Sequence, residues 1–243
     1  MQLTVTATSR VSPDLVRVEF SGDLASFAES TFTDRYVKLQ FPDAVRTYTA
    51  LDPDVEAGTV AVEFVVHGDT GVAGPWAAAA QPGDVLEVRG PGGAYAPDPA
   101  ADWHLLVGDE SALPAIRAAL QALPAEATAR AYVEIEGPGH EAELPREVTW
   151  VHRGSGAAAA MAAAEQTEPA LLTAVREGEW LPGRVQCFVH GEAQVVMHAL
   201  RPFLLAEKGL PREDVSVSGY WRRGRTEEGF RDWKRELREA EGA

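Results

Sequence analysis

Three residues within four positions, Arg46, Tyr48 and Thr49, close a strand-like stretch that runs on as "RTYTALDPD" (residues 46–54). A guanidinium offers a planar fork of donors, a phenol ring offers a flat face, and a hydroxyl both donates and accepts. With Thr47 between them, these groups suit a ligand that is flat, anionic and rich in hydrogen-bond acceptors. A second chemically capable stretch follows at "HGDTGVAGPWA", from His67 to Ala77. Gly68, Gly71 and Gly74 let backbone approach a phosphate closely. A short helix expected to begin near Pro75 and Trp76 would present free N–H donors there, with Ala73 just before it. A structural loop that buries Trp76 is the alternative.

A third stretch, "LVGDESALPAI" (residues 106–116), reads as a buried strand, a tight turn at Gly108 and a helix start. Asp109, Glu110 and Ser111 fall where N-capping belongs, Ala112 leads into the helix, and Pro114 fits a first turn. Open α/β sheets bind ligands outside the carboxyl ends of their strands, so this is either a nucleotide site or a well-capped turn. No G-x-G-x-x-G is present, so a pyrophosphate-cradling Rossmann loop is not indicated. Glu134 and Glu136 end the next strand, where an acid could meet a ribose hydroxyl. Arg153, with Ser155, ends the strand after that and could meet a ribose phosphate. The two signals oppose each other, and the match of guanidinium to phosphate favours NADPH over NADH.

Positioning these groups requires two kinds of architecture. Up to about Pro97 the chain reads as short strands broken by Gly, Pro and Asp: residues 15–20, 34–41, 59–68 and 84–91 alternate apolar and polar positions. At least six such strands without long helices predict a small antiparallel β-barrel. "PDPAADW" (residues 97–103) is the expected boundary, giving domains over 1–98 and 99–243. Beyond it, strands at 104–108, 129–137, 148–154, 185–191 and 215–221 alternate with helices, which predicts a parallel sheet covered on both faces. One long alanine-rich helix is expected from Gly156 to about Arg176, another over 192–209, and a helical tail at the C-terminus.

Composition narrows the function. The 22 Lys and Arg against 37 Asp and Glu leave a formal charge of −15, which repels nucleic acid and anionic membranes. No window reaches the ~18 apolar residues of a membrane span, and the N-terminus lacks a signal-peptide core, so a cytoplasmic location is expected. The single cysteine, Cys187, rules out an internal disulfide and any cysteine-ligated cluster within the chain. Electron transfer would need a bound organic cofactor. No histidine and acidic residues stand at metal-ligand spacing, and His190 and His198 are expected to be packed. Against the general acidity, seven of the 22 basic residues lie in the last 26, beginning at Arg222, Arg223 and Arg225. They form either a solvated face or a local anion site.

Taken in order, R-T-Y-T, the H-G-x-x-G-x-x-G-P-W-A loop, V-G-D-E-x-A-L-P-A-I and the C-terminal "GYWRRGRTEEGFRDWK" resemble the siderophore-interacting protein family over nearly the whole chain. The resemblance implies an FAD-binding ferric-siderophore reductase related to ferredoxin-NADP reductases, with a flavin barrel followed by a nicotinamide-nucleotide domain. It places Arg46 on the FAD pyrophosphate, Tyr48 on the isoalloxazine face and Thr49 near the reactive flavin nitrogen. The 67–77 loop would hold the phosphates, Gly108 to Ala115 would receive NADPH or NADH, and Tyr220 and Trp221 would return to cover the flavin. A basic cluster near the flavin would receive the ferric siderophore, with Lys38, Arg222, Arg223 and Lys234 as its members here. The family often carries a second arginine soon after R-x-Y-T, where this chain has Ala50 and Leu51. A monomer is expected. A general NAD(P)H:flavin or ferredoxin reductase, and a siderophore-binding flavoprotein without turnover, are the alternatives.

Overall fold

The computed structural model describes residues 1–66, 71–156, 168–224 and Gly229. His67, Gly68, Lys234 and the expected C-terminal helix lie outside the described residues.

Period-2 patterning builds the first sheet. Strands β1 (Gln2–Ser12), β2 (Leu15–Gly22), β3 (Tyr36–Phe41), β4 (Ala44–Thr49), β5 (Leu51–Asp54) and β6 (Thr59–Val65) precede helix α1 (Ala73–Ala79) and strand β7 (Val85–Gly92). In β2, Val16, Val18 and Phe20 point inward while Arg17 and Glu19 face out. All pairings are antiparallel, in the order β4-β3-β7-β1-β2-β6-β5. The strands at the two ends of this order, β4 and β5, are consecutive in the chain and separated only by Ala50, so the sheet must curl into a barrel. Helix α1 begins at Ala73, two residues before the expected start. Pro75 is accommodated because first-turn N–H groups need no intrahelical acceptor. Gly74 is required by packing: a Cβ there would lie 3.0 Å from the Val65 carbonyl oxygen of β6.

The second sheet is parallel throughout. It comprises β8 (Trp103–Asp109), β9 (Thr128–Ile135), β10 (Thr149–His152), β11 (Val185–Glu192) and β12 (Val215–Trp221), ordered β10-β9-β8-β11-β12. Helix α2 (Leu113–Ala122) links β8 to β9, and α3 (Ala170–Glu177) precedes β11. The central strand β8 is buried along its whole length, as a strand covered on both faces must be. The order reverses between β8 and β11, the switch point at which such sheets bind ligands.

Two helical expectations change. The alanine-rich segment is not one helix to Arg176, because Glu168 and Pro169 are non-helical and α3 starts afresh at Ala170. Proline pushes the residue before it out of the α region. The 192–209 segment is a short α-turn at Ala193–Val195 followed by wider π-turns at Val196–Leu200 and Phe203–Glu207. Pro202, between the π-turns, has no N–H to give an α-ladder. Among the described residues no helix is long and apolar enough to cross a membrane.

The two sheets share a packed interface. Leu15 of β2 and the half-buried Val65 of β6 join Leu106, Leu113, Ile116 and Phe188 in one apolar cluster.

Candidate functional site

Strand β4 lies at the end of the barrel's strand order, so one of its backbone edges has no strand partner in the sheet. Register with β3 divides its side chains. Arg46 and Tyr48 stand opposite the buried Leu39 and Val37, while Thr47 and Thr49 stand opposite Lys38 and Tyr36. A flat ligand lying along this edge meets backbone hydrogen-bonding groups and side chains from both faces. Tyr48 is half-buried, its ring 4.5 Å from Phe64, and Phe64 lies 5.7 Å from Trp76 of α1. Trp76 also stacks on Phe20 at 6.3 Å and meets Phe41 edge-on at 5.6 Å. This aromatic cluster locks α1, and with it Ala73, Gly74, Pro75 and Ala77, against the strand that carries Tyr48. Gly71, at φ +82°, makes the left-handed turn into the helix.

Ala50 and Leu51, which stand where a second arginine was expected, are 1% and 0% exposed. They turn β4 into β5, and a guanidinium there would be buried in the barrel core.

Lys38 is exposed on the outer face, directly opposite Thr47 on one side and Arg89 of β7 on the other. Arg89, spaced 51 residues from Lys38, was not identified from the sequence. Only strand register makes the two cations neighbours. Tyr36 and Phe32, both partly exposed, lie over Gly92 and Gly93 beside them.

The expected nucleotide residues gather at the switch point. Gly108 has no room for a side chain, because a Cβ would lie 2.6 Å from the His190 carbonyl oxygen. Asp109 does not cap α2, whose N-cap is Ala112 without a side-chain bond, although Pro114 does sit in the first turn. Instead its Oδ1 accepts from the Ser111 N–H at 2.9 Å and hydroxyl at 2.5 Å. Its Oδ2 accepts from the Glu192 N–H and the Trp221 indole N–H, each at 2.8 Å. Burial raises the Asp109 pKa, and these hydrogen bonds oppose the shift. Glu110 pairs with Arg153. Glu134, beside Asp109 in register, is pushed up to about 7 by burial first and by the charge of Asp109 next, with Arg153 opposing.

Glu136 does not share this site. Its carboxylate lies within 4.8 Å of Asp14 and His140 side-chain atoms, and His140 Nε2 lies 3.1 Å from the Asp14 carboxylate, between the β1–β2 hairpin and the parallel-sheet unit. The tail strand crosses the switch point. Trp221 reaches Asp109, the Arg223 N–H donates to Glu192 at 3.0 Å, and Arg222 donates to Gln194 at 3.2 Å.

A ladder of rings connects the site to the barrel. Tyr95, whose N–H is held by Asp34 at 2.9 Å, lies 4.9 Å from Phe188. Phe188 packs at 3.8 Å on His190, whose Nδ1 is 2.9 Å from the Tyr220 hydroxyl. Burial raises the Tyr220 pKa, reinforced by the charges of Asp34 and Asp109. His190 is packed as expected, whereas His198 is exposed on a π-turn. Cys187 is fully buried and its thiol is pushed up to about 12 by burial, an inert core group.

Residues 101–224 match the family model for siderophore-interacting proteins, and residues 42–95 match the siderophore-interacting FAD-binding domain. An uncharacterised protein of Mycobacterium tuberculosis strain H37Rv is 48% identical over 98% of this chain and 95% of that protein. Ferric vibriobactin reductase ViuB of Vibrio cholerae is 30% identical over 91% of this chain and 89% of its own. A solved siderophore utilization protein from T. fusca is 35% identical, with a TM-score of 0.79 over 93% of this chain and 94% of that one. The ferredoxin reductase of carbazole 1,9a-dioxygenase shares the two-sheet fold, with a TM-score of 0.68 at 16% identity over 91% of this chain and 69% of that one. With an FAD-binding domain around R-T-Y-T and a family match across the parallel sheet, the chain belongs to the siderophore-interacting protein family.

Proposed function

We propose that this protein is an FAD-dependent ferric-siderophore reductase that draws electrons from NADPH or NADH. The observation that carries the reading is the packing of two ligand-binding features into one body. Asp34, just before the β3 strand that pairs with the edge bearing Arg46 and Tyr48, holds Tyr95, and the Tyr95–Phe188–His190–Tyr220 ladder runs from there into a sheet whose switch point lies at Gly108 and Asp109. In this reading residues 1–98 hold the flavin, residues 99–243 receive the nucleotide, and the chain acts as a cytoplasmic monomer.

The β4 edge fits a flavin. Its exposed backbone can answer the alternating donors and acceptors of a flat heterocycle, and Tyr48 supplies an aromatic face already braced by Phe64. Arg46 would pair with the pyrophosphate, a charge-assisted contact, and Thr49 would bond the ring edge. Gly74 and the first turn of α1 would approach the phosphates. FAD, when bound, supplies the exchange between a two-electron hydride donor and a one-electron ferric acceptor. The chain's own residues bind, orient and shield, and none is required to move a proton to the iron substrate. Lys38 and Arg89, with Arg222 and Arg223 across the tail, offer positive charge to an anionic ferric siderophore on an otherwise acidic surface.

The test is an absorption spectrum of purified protein, then anaerobic titration with NADPH or NADH, then addition of a ferric siderophore with a ferrous chelator. Flavin bleaching followed by two ferrous ions trapped per nucleotide supports the reading. A protein that takes up no FAD sinks it. Bleaching without ferrous release leaves a general flavin or ferredoxin reductase.

A further inference from the structure

We infer that Asp109 is a positioning residue, not a nucleotide ligand: it pins the Trp221 indole across the switch point, where the indole forms a wall of the nicotinamide pocket and not a cover of the flavin. The inference rests on the proposed nucleotide-dependent reaction and assigns the two residues their parts in it.

The argument begins with acceptor capacity. A carboxylate offers about four lone-pair directions, two on each oxygen. In Asp109 four donors fill them: the Ser111 N–H and hydroxyl on Oδ1, the Glu192 N–H and the Trp221 indole N–H on Oδ2. The side chain is 4% exposed. A ribose hydroxyl approaching this carboxylate would find no acceptor without displacing one of the four. Glu134 stands beside Asp109 in register and is the neighbouring carboxylate at this crevice.

The four donors come from three strands' ends. Ser111 follows β8, Glu192 ends β11 and Trp221 ends β12, and β11 lies between the other two. The indole therefore reaches over the end of β11 to bond a residue of β8. Gly191 makes room for this. It holds φ +145°, and a Cβ there would lie 2.8 Å from Asp109 Oδ2. The main chain beyond Trp221 is tied down too, by the Arg223 N–H on Glu192. A ring pinned by its polar edge and 37% exposed presents a flat surface at the crevice where this sheet class binds its ligand. Such a surface suits stacking of another flat ring.

The experiment compares flavin-loaded wild type, Asp109→Asn, Trp221→Phe and the double variant. Dissociation constants for NADPH and NADH are measured with flavin retention, and the indole N–H of Trp221 is followed in ¹⁵N-labelled protein. An asparagine amide cannot accept on both sides, and phenylalanine keeps a ring without the N–H. Each single variant should weaken nucleotide binding about tenfold, the size of one charge-assisted hydrogen bond, and leave flavin retention unchanged. The double variant should be no worse than either single one, because both remove the same link. The Trp221 N–H should be protected from exchange in wild type and exchange freely in Asp109→Asn. Unchanged nucleotide affinity in Trp221→Phe, which keeps the Asp109 carboxylate intact, overturns this inference while leaving the reductase reading standing. So does loss of flavin in either single variant. A wild type that binds neither nucleotide overturns both.

Discussion

The guanidinium of Arg117 on α2 lies 3.5 Å from the carboxylate of Glu63 on β6, an ion pair that crosses from the parallel-sheet unit to the barrel. Glu63 is 2% exposed, and the same carboxylate oxygen is also met by Arg17 at 3.4 Å. Burial raises the Glu63 pKa, and the two arginines oppose it. Replacing Arg117 with Met leaves a buried carboxylate with half its compensation. The expected loss is about 3 kcal/mol, or a melting temperature lower by about 6–12 °C, read by thermal unfolding. A melting temperature within a degree of wild type would show the pair to be idle.

The edge strand makes a sharper prediction about the cofactor. Arg46 and Tyr48 share one face of β4, so changing both to Ala removes the guanidinium and the aromatic face together. The double variant should fold, because both side chains are only half-buried, and should emerge colourless and fail to take up added FAD. A variant that stays fully flavinated moves the flavin away from this strand.

Lys38 and Arg89 are neighbours across β3 and β7 and are both exposed. Their joint replacement by Ala should raise KM for an anionic ferric siderophore several-fold. The effect should shrink at high salt, while flavin reduction by NADPH is spared. An unchanged KM would return both residues to the solvated surface.

Glu134 predicts a pH dependence whose sign can be worked out. Its folded pKa is about 7 against an ordinary 4.5. Above pH 7 both folded and unfolded chains carry the charge, and folding bears the cost of burying it. Between pH 7 and 4.5 the folded chain binds a proton that the unfolded chain does not, so stability rises as pH falls. Below 4.5 both are protonated and the gain is complete. Glu134→Gln should therefore be more stable than wild type at pH 8, by about 1–2 kcal/mol, and equal to it near pH 4.5, as read from urea midpoints. An equal difference at both pH values would exclude Glu134 as the group responsible.

Much of the molecule was legible before any coordinates. Alternation in "LVRVEF" and the uninterrupted apolar run in "HLLVG" distinguish a half-exposed barrel strand from a doubly covered central one, because side-chain period follows directly from which faces are wet. Arg46, Tyr48 and the glycines before Trp76 mark a polar strand end and a turn by type and spacing alone, since such features are encoded within a few residues. The sequence by itself therefore determined the two kinds of sheet and the residue types along the β4 edge. Helix bounds were less legible: the helix expected to run from Gly156 to Arg176 is interrupted at Pro169, and the one expected over 192–209 becomes π-turns on either side of Pro202, because those turns depend on how the segment packs.

What only tertiary structure decided are the pairings between distant segments. Glu134 and Glu136, two residues apart, part company because one lies in register with Asp109 and the other ends up beside Asp14 and His140. Asp109 reads as a helix cap until sheet order brings Glu192 and Trp221 to its second oxygen. Arg89 becomes Lys38's neighbour only through the β3–β7 ladder. Each of these is set by strand order and register, which depend on burying apolar faces contributed by many residues at once, and no local stretch carries that information.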